Sequence, residues 1–163
     1  MRYTLLLFLA TFLCTCDRAP VAATPAETTT NPATDQAAVE QLIQDAFDHV
    51  WSGTDTANVG RYHTEDFVIL EHGEVWTNDT IRNWQLRQAA TRRPDAPRRL
   101  NSFTFFRTEP AGEDIWLAYH NQAHFVSAAG DTVRAMGWLE SAVATRTAEG
   151  WKLRMMHSTR KAR

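Results

Sequence analysis

The sequence predicts an α+β domain, with helices first and then a long antiparallel meander whose one face the helices cover. Three observations carry this. Residues 36–51 repeat apolar side chains at helical spacing, residues from about 100 to 160 alternate at strand spacing, and the later strands are separated by the short turns "AAGD" and "AEG". A chain of 163 residues with six Trp and eight Phe is large enough for one domain around a single core.

Taken in order, the first helix shows Val39, Leu42, Ile43, Ala46, Phe47, Val50 and Trp51 as one wide stripe that must face a core. Thr34 or Asp35 supplies the N-cap, and Gly53 follows the end. A short helix is expected around Asp55–Tyr62. "EDFVILEHGEVW" reads as a strand, a turn at His72-Gly73 and a short return. Asn78 or Asp79 opens a third helix through roughly Ala90, with Ile81 and Trp84 inward. The basic run "TRRPDAPRR" at 91–99 carries two prolines and reads as a solvated loop. Four strands follow, closing with "GWKLRMMHSTR" at 150–160.

The chain begins with "MRYTLLLFLATFLCTC": one positive charge, then an apolar run too short to span a bilayer as a helix but suited to a secretory signal. Leu13-Cys14-Thr15-Cys16 resembles a bacterial lipobox, which implies a leader over 1–16 and lipid attached to Cys16. A plain signal peptide cut later is the alternative. Residues 17–35, rich in Ala, Pro and Thr, have almost nothing to bury and read as a disordered tether. With both cysteines used by the leader, the domain would have no disulfide and no thiolate metal site. The net charge of −2 gives no field for nucleic acid, which is not expected as a partner.

Helix, short helix, strand, helix and four long strands, with "YHTEDFVILEHGEVWTNDTIRNW" (62–84), "GWLESAVAT" (137–145) and "GWKLRMMHST" (150–159), resemble the nuclear transport factor 2-like superfamily in its SnoaL-like bacterial branch. The resemblance covers roughly residues 36–160 and implies a domain over 36–163. It implies a cone-shaped, curved antiparallel sheet wrapped around the long N-terminal helix, with a pocket at the open end. It also implies dimerisation, here through the convex sheet face. That superfamily includes isomerases, epoxide hydrolases, cyclases, transport adaptors and association domains, so the fold leaves function open.

Strand alternation sorts the pocket candidates. On the last strand Trp151, Leu153, Met155, His157 and Thr159 share the more apolar face, so this set is expected to be concave, with His157 at the pocket end. One register places His157 opposite Glu140, the other opposite Ser141. If Glu140 points inward beside the imidazole, the two form an acid–base pair. Glu71, at the end of the first strand, lies about where the resemblance to the ketosteroid-isomerase branch implies a carboxylate base, but no hydroxyl donor accompanies it on the first helix. Tyr119 and Asn121 fall on a core face with a polar end. The expected pocket set is Tyr119, Asn121, Trp138, Glu140, Met155 and His157, and the catalytic candidates are His157, Glu140 and Glu71.

His120 and His124 lie four residues apart on a strand, roughly 13 Å, too far to share one ion. With His49, His63 and His72 completing no ligand set, neither a metal nor a cofactor is expected. No nucleophile elbow, phosphate loop or dinucleotide fingerprint is present. The functional expectation is an exported, lipid-anchored domain of a bacterial cell envelope that binds a small, largely apolar ligand in the cone. The alternatives are an isomerase- or hydratase-type enzyme and a dimeric interaction module.

Overall fold

A computed structural model of the chain describes residues 32–162. The leader, the Cys16 lipid site and the tether up to residue 31 lie outside the described residues. The elements are α1 (Pro32–Ala46) continuing into a π-helical turn (Phe47–Trp51), α2 (Ala57–Tyr62), β1 (His63–Glu71), β2 (Glu74–Thr77), α3 (Asn78–Thr91), β3 (Arg98–Ala111), β4 (Asp114–Val126), β5 (Thr132–Thr147) and β6 (Gly150–Arg160). The helix thus begins four residues inside the stretch 17–35 read as a tether. Pro32 suits a first helical position because its missing N–H has no helical acceptor there. Asp35 in that first turn is tied to Arg146 on β5 at 2.6 Å.

Six strands form one curved sheet in the order β2-β1-β6-β5-β4-β3, as the α+β reading requires. One pairing departs from the antiparallel expectation: β6 runs parallel to β1. No hairpin joins these two strands. The chain leaves β1 through β2, α3 and the meander and then returns β6 between β1 and β5. The last strand is therefore central, and its side chains have neighbours on both sides.

Val39, Leu42, Ile43 and Ala46 of α1, then Phe47, Val50 and Trp51, bury the predicted stripe against Phe67, Ile69, Leu117, Tyr119, Ala142, Leu153 and Met156 of the sheet. Each fully buried aliphatic side chain contributes roughly 1.5–3 kcal/mol of transfer free energy. The helix widens at its end, where Ser52 N–H donates to Phe47 O at 2.9 Å. Gly53 is required there: a Cβ would sit 2.3 Å from His49 O. Buried Gln85 of α3 donates its Nε2 to Val50 O at 2.8 Å, satisfying a carbonyl at this helix end. The turn His72-Gly73 has φ of 51° and 88°, a two-residue hairpin in which both central residues are left-handed. Thr77 caps α3 by accepting from Thr80 N–H.

β6 carries the feature that decides the site. Ala144 pairs with Leu153 but Val143 pairs with Met155, so Arg154 is an extra residue, a β-bulge. Beyond it the alternation restarts one step later. Leu153, Met156 and Ser158 are buried, while His157 and Thr159 are exposed. The expectation that Met155, His157 and Thr159 share the concave face with Leu153 is corrected: these three lie on the convex face. Unbroken alternation fails across a strand with an odd insertion. No described helix is long and apolar enough to cross a membrane.

Candidate functional site

The concave face carries a row of polar residues across four strands. Tyr119 of β4 pairs with Glu140 of β5, Glu140 with Ser158 of β6, and Ser158 with Glu71 of β1. Glu140, Tyr119 and Ser158 are buried, and Glu71 is half-buried. Ser158 Oγ donates to Glu140 Oε1 at 3.0 Å, and Asn121 Nδ2 donates to Oε2 at 3.1 Å. Asn101 of β3 continues the chain, its Nδ2 donating to Asn121 Oδ1 at 2.6 Å. One carboxylate therefore gathers a hydrogen-bond network spanning β3 to β6.

Burial dominates the chemistry of Glu140. It pushes the pKa up to about 7, against the opposing pull of the Ser158 and Asn121 hydrogen bonds and of the Arg99 charge; the Glu71 charge raises it further. Near neutral pH this carboxyl exists in both protonation states, as a group that gives and takes protons must. Burial first, and the neighbouring Glu140 second, hold the Tyr119 phenol well above its ordinary value. Its hydroxyl is buried without a well-formed hydrogen bond. Glu71, at the inward-facing end of β1, is paired with His72 Nε2 at 3.0 Å.

Glu140, Ser158 and Glu71 open onto a cavity of about 190 Å³ whose remaining walls are Phe47, Trp51, Ile69, Trp76, Trp84, Arg99 and Trp138. Four indoles thus surround two carboxyl groups. Trp84 stands 6.0 Å from Trp51 and 6.4 Å from Trp76, centre to centre, in a continuous aromatic wall. A wider groove of about 650 Å³ adjoins it, sharing Trp51, Trp84 and Arg99 and continuing to Arg92, Arg93 and Asp95. The groove is larger, but those last three residues are exposed and Arg93 is already bound to Asp95 at 2.8 Å. The inner cavity holds the buried titratable group.

Of the expected pocket residues, the fold brings Trp138 and Glu140 to the cavity wall and sets Tyr119 and Asn121 directly behind it. Met155 and His157 are not there. His157 pairs with Ser141 on the convex face, in a shallow depression with Phe106, Leu139 and Thr159. Its closest polar neighbour is Thr159 Oγ1 at 3.5 Å. The Glu140–His157 acid–base pair does not form, because the Arg154 bulge slides the pairing by one residue. His120 is also exposed on that face, 5.3 Å from the Phe106 ring. Among the described residues no cluster of His, Cys, Asp and Glu is arranged to hold a metal ion.

Sequence reasoning misses Arg99, Asn101 and Ser158 and the walls Phe47, Trp51 and Trp76. It assigns Arg99 to the solvated basic loop, yet β3 begins at Arg98 and turns Arg99 inward. One sign of this is present in the chain: Arg99, Asn101, Phe103 and Phe105 continue one alternation.

No family model matches the chain, and no curated protein matches it. Solved structures do. The chain is similar to a nuclear transport factor 2-like superfamily protein from Salmonella enterica, with TM-score 0.61 and 12% identity over 82% of this chain and 95% of that one. It is similar to a ketosteroid isomerase-like protein from Erwinia carotovora atroseptica, with TM-score 0.56 and 13% identity over 79% and 98%. A third similar structure is the CaMKII hub of S. rosetta, with TM-score 0.56 and 16% identity over 86% and 100%.

Proposed function

This protein has the nuclear transport factor 2-like fold, and on that scaffold we propose that its cone binds a small, ring-bearing, largely apolar molecule. The observation that carries this is the inner cavity itself, four indoles and a phenyl ring around a buried polar floor. Flat apolar walls with few polar groups are what a ring-shaped ligand needs for burial and orientation. Size narrows the class. An apolar cavity of about 150 Å³ accepts benzene, so about 190 Å³ suits a single substituted ring. Tryptophan emission titrated with substituted benzenes tests this, with native mass spectrometry as a second readout. Saturable quenching with one-ring compounds is expected. Unchanged emission across the panel, with no retained mass, removes the proposal.

A second reading is favoured by Glu140, a carboxyl near its midpoint at neutral pH and facing the cavity. An isomerase- or hydratase-type proton transfer would run through Glu140, with Glu71 across Ser158 as the other carboxyl. His157 has no part in it. If Glu140→Gln turns over every substrate of the wild type at an unchanged rate, the enzymatic reading ends.

The convex face motivates the interaction proposal. Phe106, Leu139 and Trp116 are 49%, 46% and 41% exposed on adjacent strands, an apolar surface suited to a second copy of the chain. Light scattering of Leu139→Glu against wild type tests it, since a dimer through this face should become monomeric. From the N-terminal sequence we also propose export and lipid attachment at Cys16, tested by mass analysis of protein from a bacterial envelope fraction.

A further inference from the structure

Among the described residues, Arg99 is the one charged side chain of the cavity wall that makes no hydrogen bond or close ion pair. Glu140 is bonded by Ser158 and Asn121, and Glu71 is bonded by His72. The Arg99 side chain is largely buried, yet among the described residues it makes no hydrogen bond and no ion pair, and its Nε is buried without an acceptor. What it touches is aromatic. Its Cζ lies 5.0 Å from the Trp138 ring centre and 5.6 Å from that of Phe47. These rings hold the guanidinium in place by cation–π attraction but satisfy none of its in-plane N–H groups.

A second buried donor without an acceptor belongs to another residue of the same wall. Trp51 Nε1 is buried without an acceptor, and Trp51, like Arg99, lines both the inner cavity and the outer groove. Buried donors without acceptors are costly, and natural proteins leave few of them. Both residues line the cavity junction, and the terminal guanidinium N–H groups of Arg99, which have no protein acceptor, are complementary to a ligand that brings oxygen acceptors. The guanidinium presents parallel N–H groups whose spacing matches the two oxygens of a carboxylate.

We propose that Arg99 is an anion anchor and that the cone takes an aromatic carboxylic acid, its ring among the indoles and its carboxylate on the Arg99 fork at the junction of cavity and groove. This deepens the ring-binding proposal and rests on it. An organic cation is the opposing possibility, since indoles and two carboxyl groups also attract positive charge. It is disfavoured because both carboxyl groups already accept hydrogen bonds, whereas the Arg99 guanidinium donates none.

The anchored anion makes binding proton-linked. Glu140 is faced by Arg99 from β3, Tyr119 and Asn121 from β4, Ser158 from β6 and Glu71 from β1; the helices contribute only aromatic rings to the wall. Of these, Arg99 alone is cationic. When Glu140 is ionised, Arg99 answers two carboxylates, and a third is repelled. When Glu140 holds its proton, that repulsion is relieved, so the ligand binds together with a proton from solvent.

The test uses three one-ring probes of nearly equal shape: benzoate, benzamide and benzylamine, titrated into the purified chain by calorimetry and tryptophan emission. At pH 6 benzoate is expected to bind at least tenfold more tightly than benzamide, with affinity falling several-fold by pH 8. Arg99→Met should bring the benzoate-to-benzamide ratio near one. Arg99→Lys keeps the charge, loses the fork and should lower that ratio at least threefold, which serves if the methionine variant does not fold. Benzamide binding as tightly as benzoate, or benzylamine binding best, overturns the anion anchor while leaving the ring pocket standing. A lysine variant with the full wild-type ratio overturns the bidentate fork. Silence from all three probes overturns the ring pocket itself.

Discussion

The two faces of β4, β5 and β6 are built from alternate residues of the same strands, and they do opposite things with polar groups. On the concave face Asn101, Asn121, Glu140 and Ser158 form a connected, buried network beneath a wall of indoles. On the convex face His120, His157 and Thr159 are exposed and stand among Phe106, Leu139 and Trp116. Burial accounts for the contrast. A carboxyl withdrawn from water must find donors, and even with them Glu140 has a pKa of about 7. The His157 imidazole stays in water, outside any such network. A chemically interesting residue type is therefore a weak guide, and the face it occupies is a strong one.

Four changes test this contrast, beginning with the most disruptive. Asn121→Leu removes a donor from Glu140 and an acceptor from Asn101, leaving both short of a partner in the interior. A loss of about 3 kcal/mol is expected in chemical denaturation. A loss below about 1 kcal/mol would mean that the network is not what holds this face together.

Second is the pH dependence of stability. The folded-state pKa of Glu140, about 7, lies above its ordinary value of 4.5, so its contribution is full at low pH and is lost as pH rises through about 7. His63 is buried and its pKa is pulled down to about 4 mainly by burial, so its contribution is lost as pH falls from 6.5 toward 4. The two slopes oppose each other between about pH 4.5 and 6.5. Glu140→Gln leaves the His63 slope alone, and stability should then climb with pH more steeply than in wild type, by roughly 3 kcal/mol over the Glu140 range. Parallel curves for the two proteins would contradict the placement of Glu140.

Third, deleting Arg154 removes the extra residue of the bulge without moving Leu153, Met156 or Ser158 to the other face. Its ion pair with Asp66 is exposed and weak. A cost of about 1 kcal/mol is expected, with ring-compound binding retained. Last and smallest, His157→Ala should change stability by less than about 0.5 kcal/mol and leave ligand affinity unchanged, because the side chain faces solvent. A large drop in affinity there would reverse the assignment of the two faces.

Much of this is legible in the chain. The stripe from Val39 to Trp51 identifies the helix that fills the sheet, because neither a strand nor a loop repeats apolar residues at helical spacing over four turns. Tyr119 and Asn121 sort correctly to the inner face of β4, a strand whose register with β5 runs from Asp114 to Phe125 without a bulge. Glu140 stands out as a lone carboxylate beside the run Ser141-Ala142-Val143-Ala144, and it is buried. Arg99 is misread because charge and two nearby prolines outweigh an alternation that begins only there. Its burial depends on Phe47 and Trp138, partners far away in sequence. His157 is misread because a β-bulge leaves no local signature and reverses the facing of everything after it.

By itself, then, the amino-acid sequence determined the kinds of element, their order, the helix that the sheet must cover and the presence of one carboxylate where none would be expected. Those properties reside in periodicity, which each segment carries alone. Tertiary structure decided which residues share the cavity. Facing on a strand has only two values, and a single extra residue, Arg154, exchanges them. The junction of Arg99, Trp51 and Glu140 exists only where β3, the end of α1 and β5 come together in space. Whether a charge is solvated or stranded is settled by such neighbours, and no short stretch of sequence contains them.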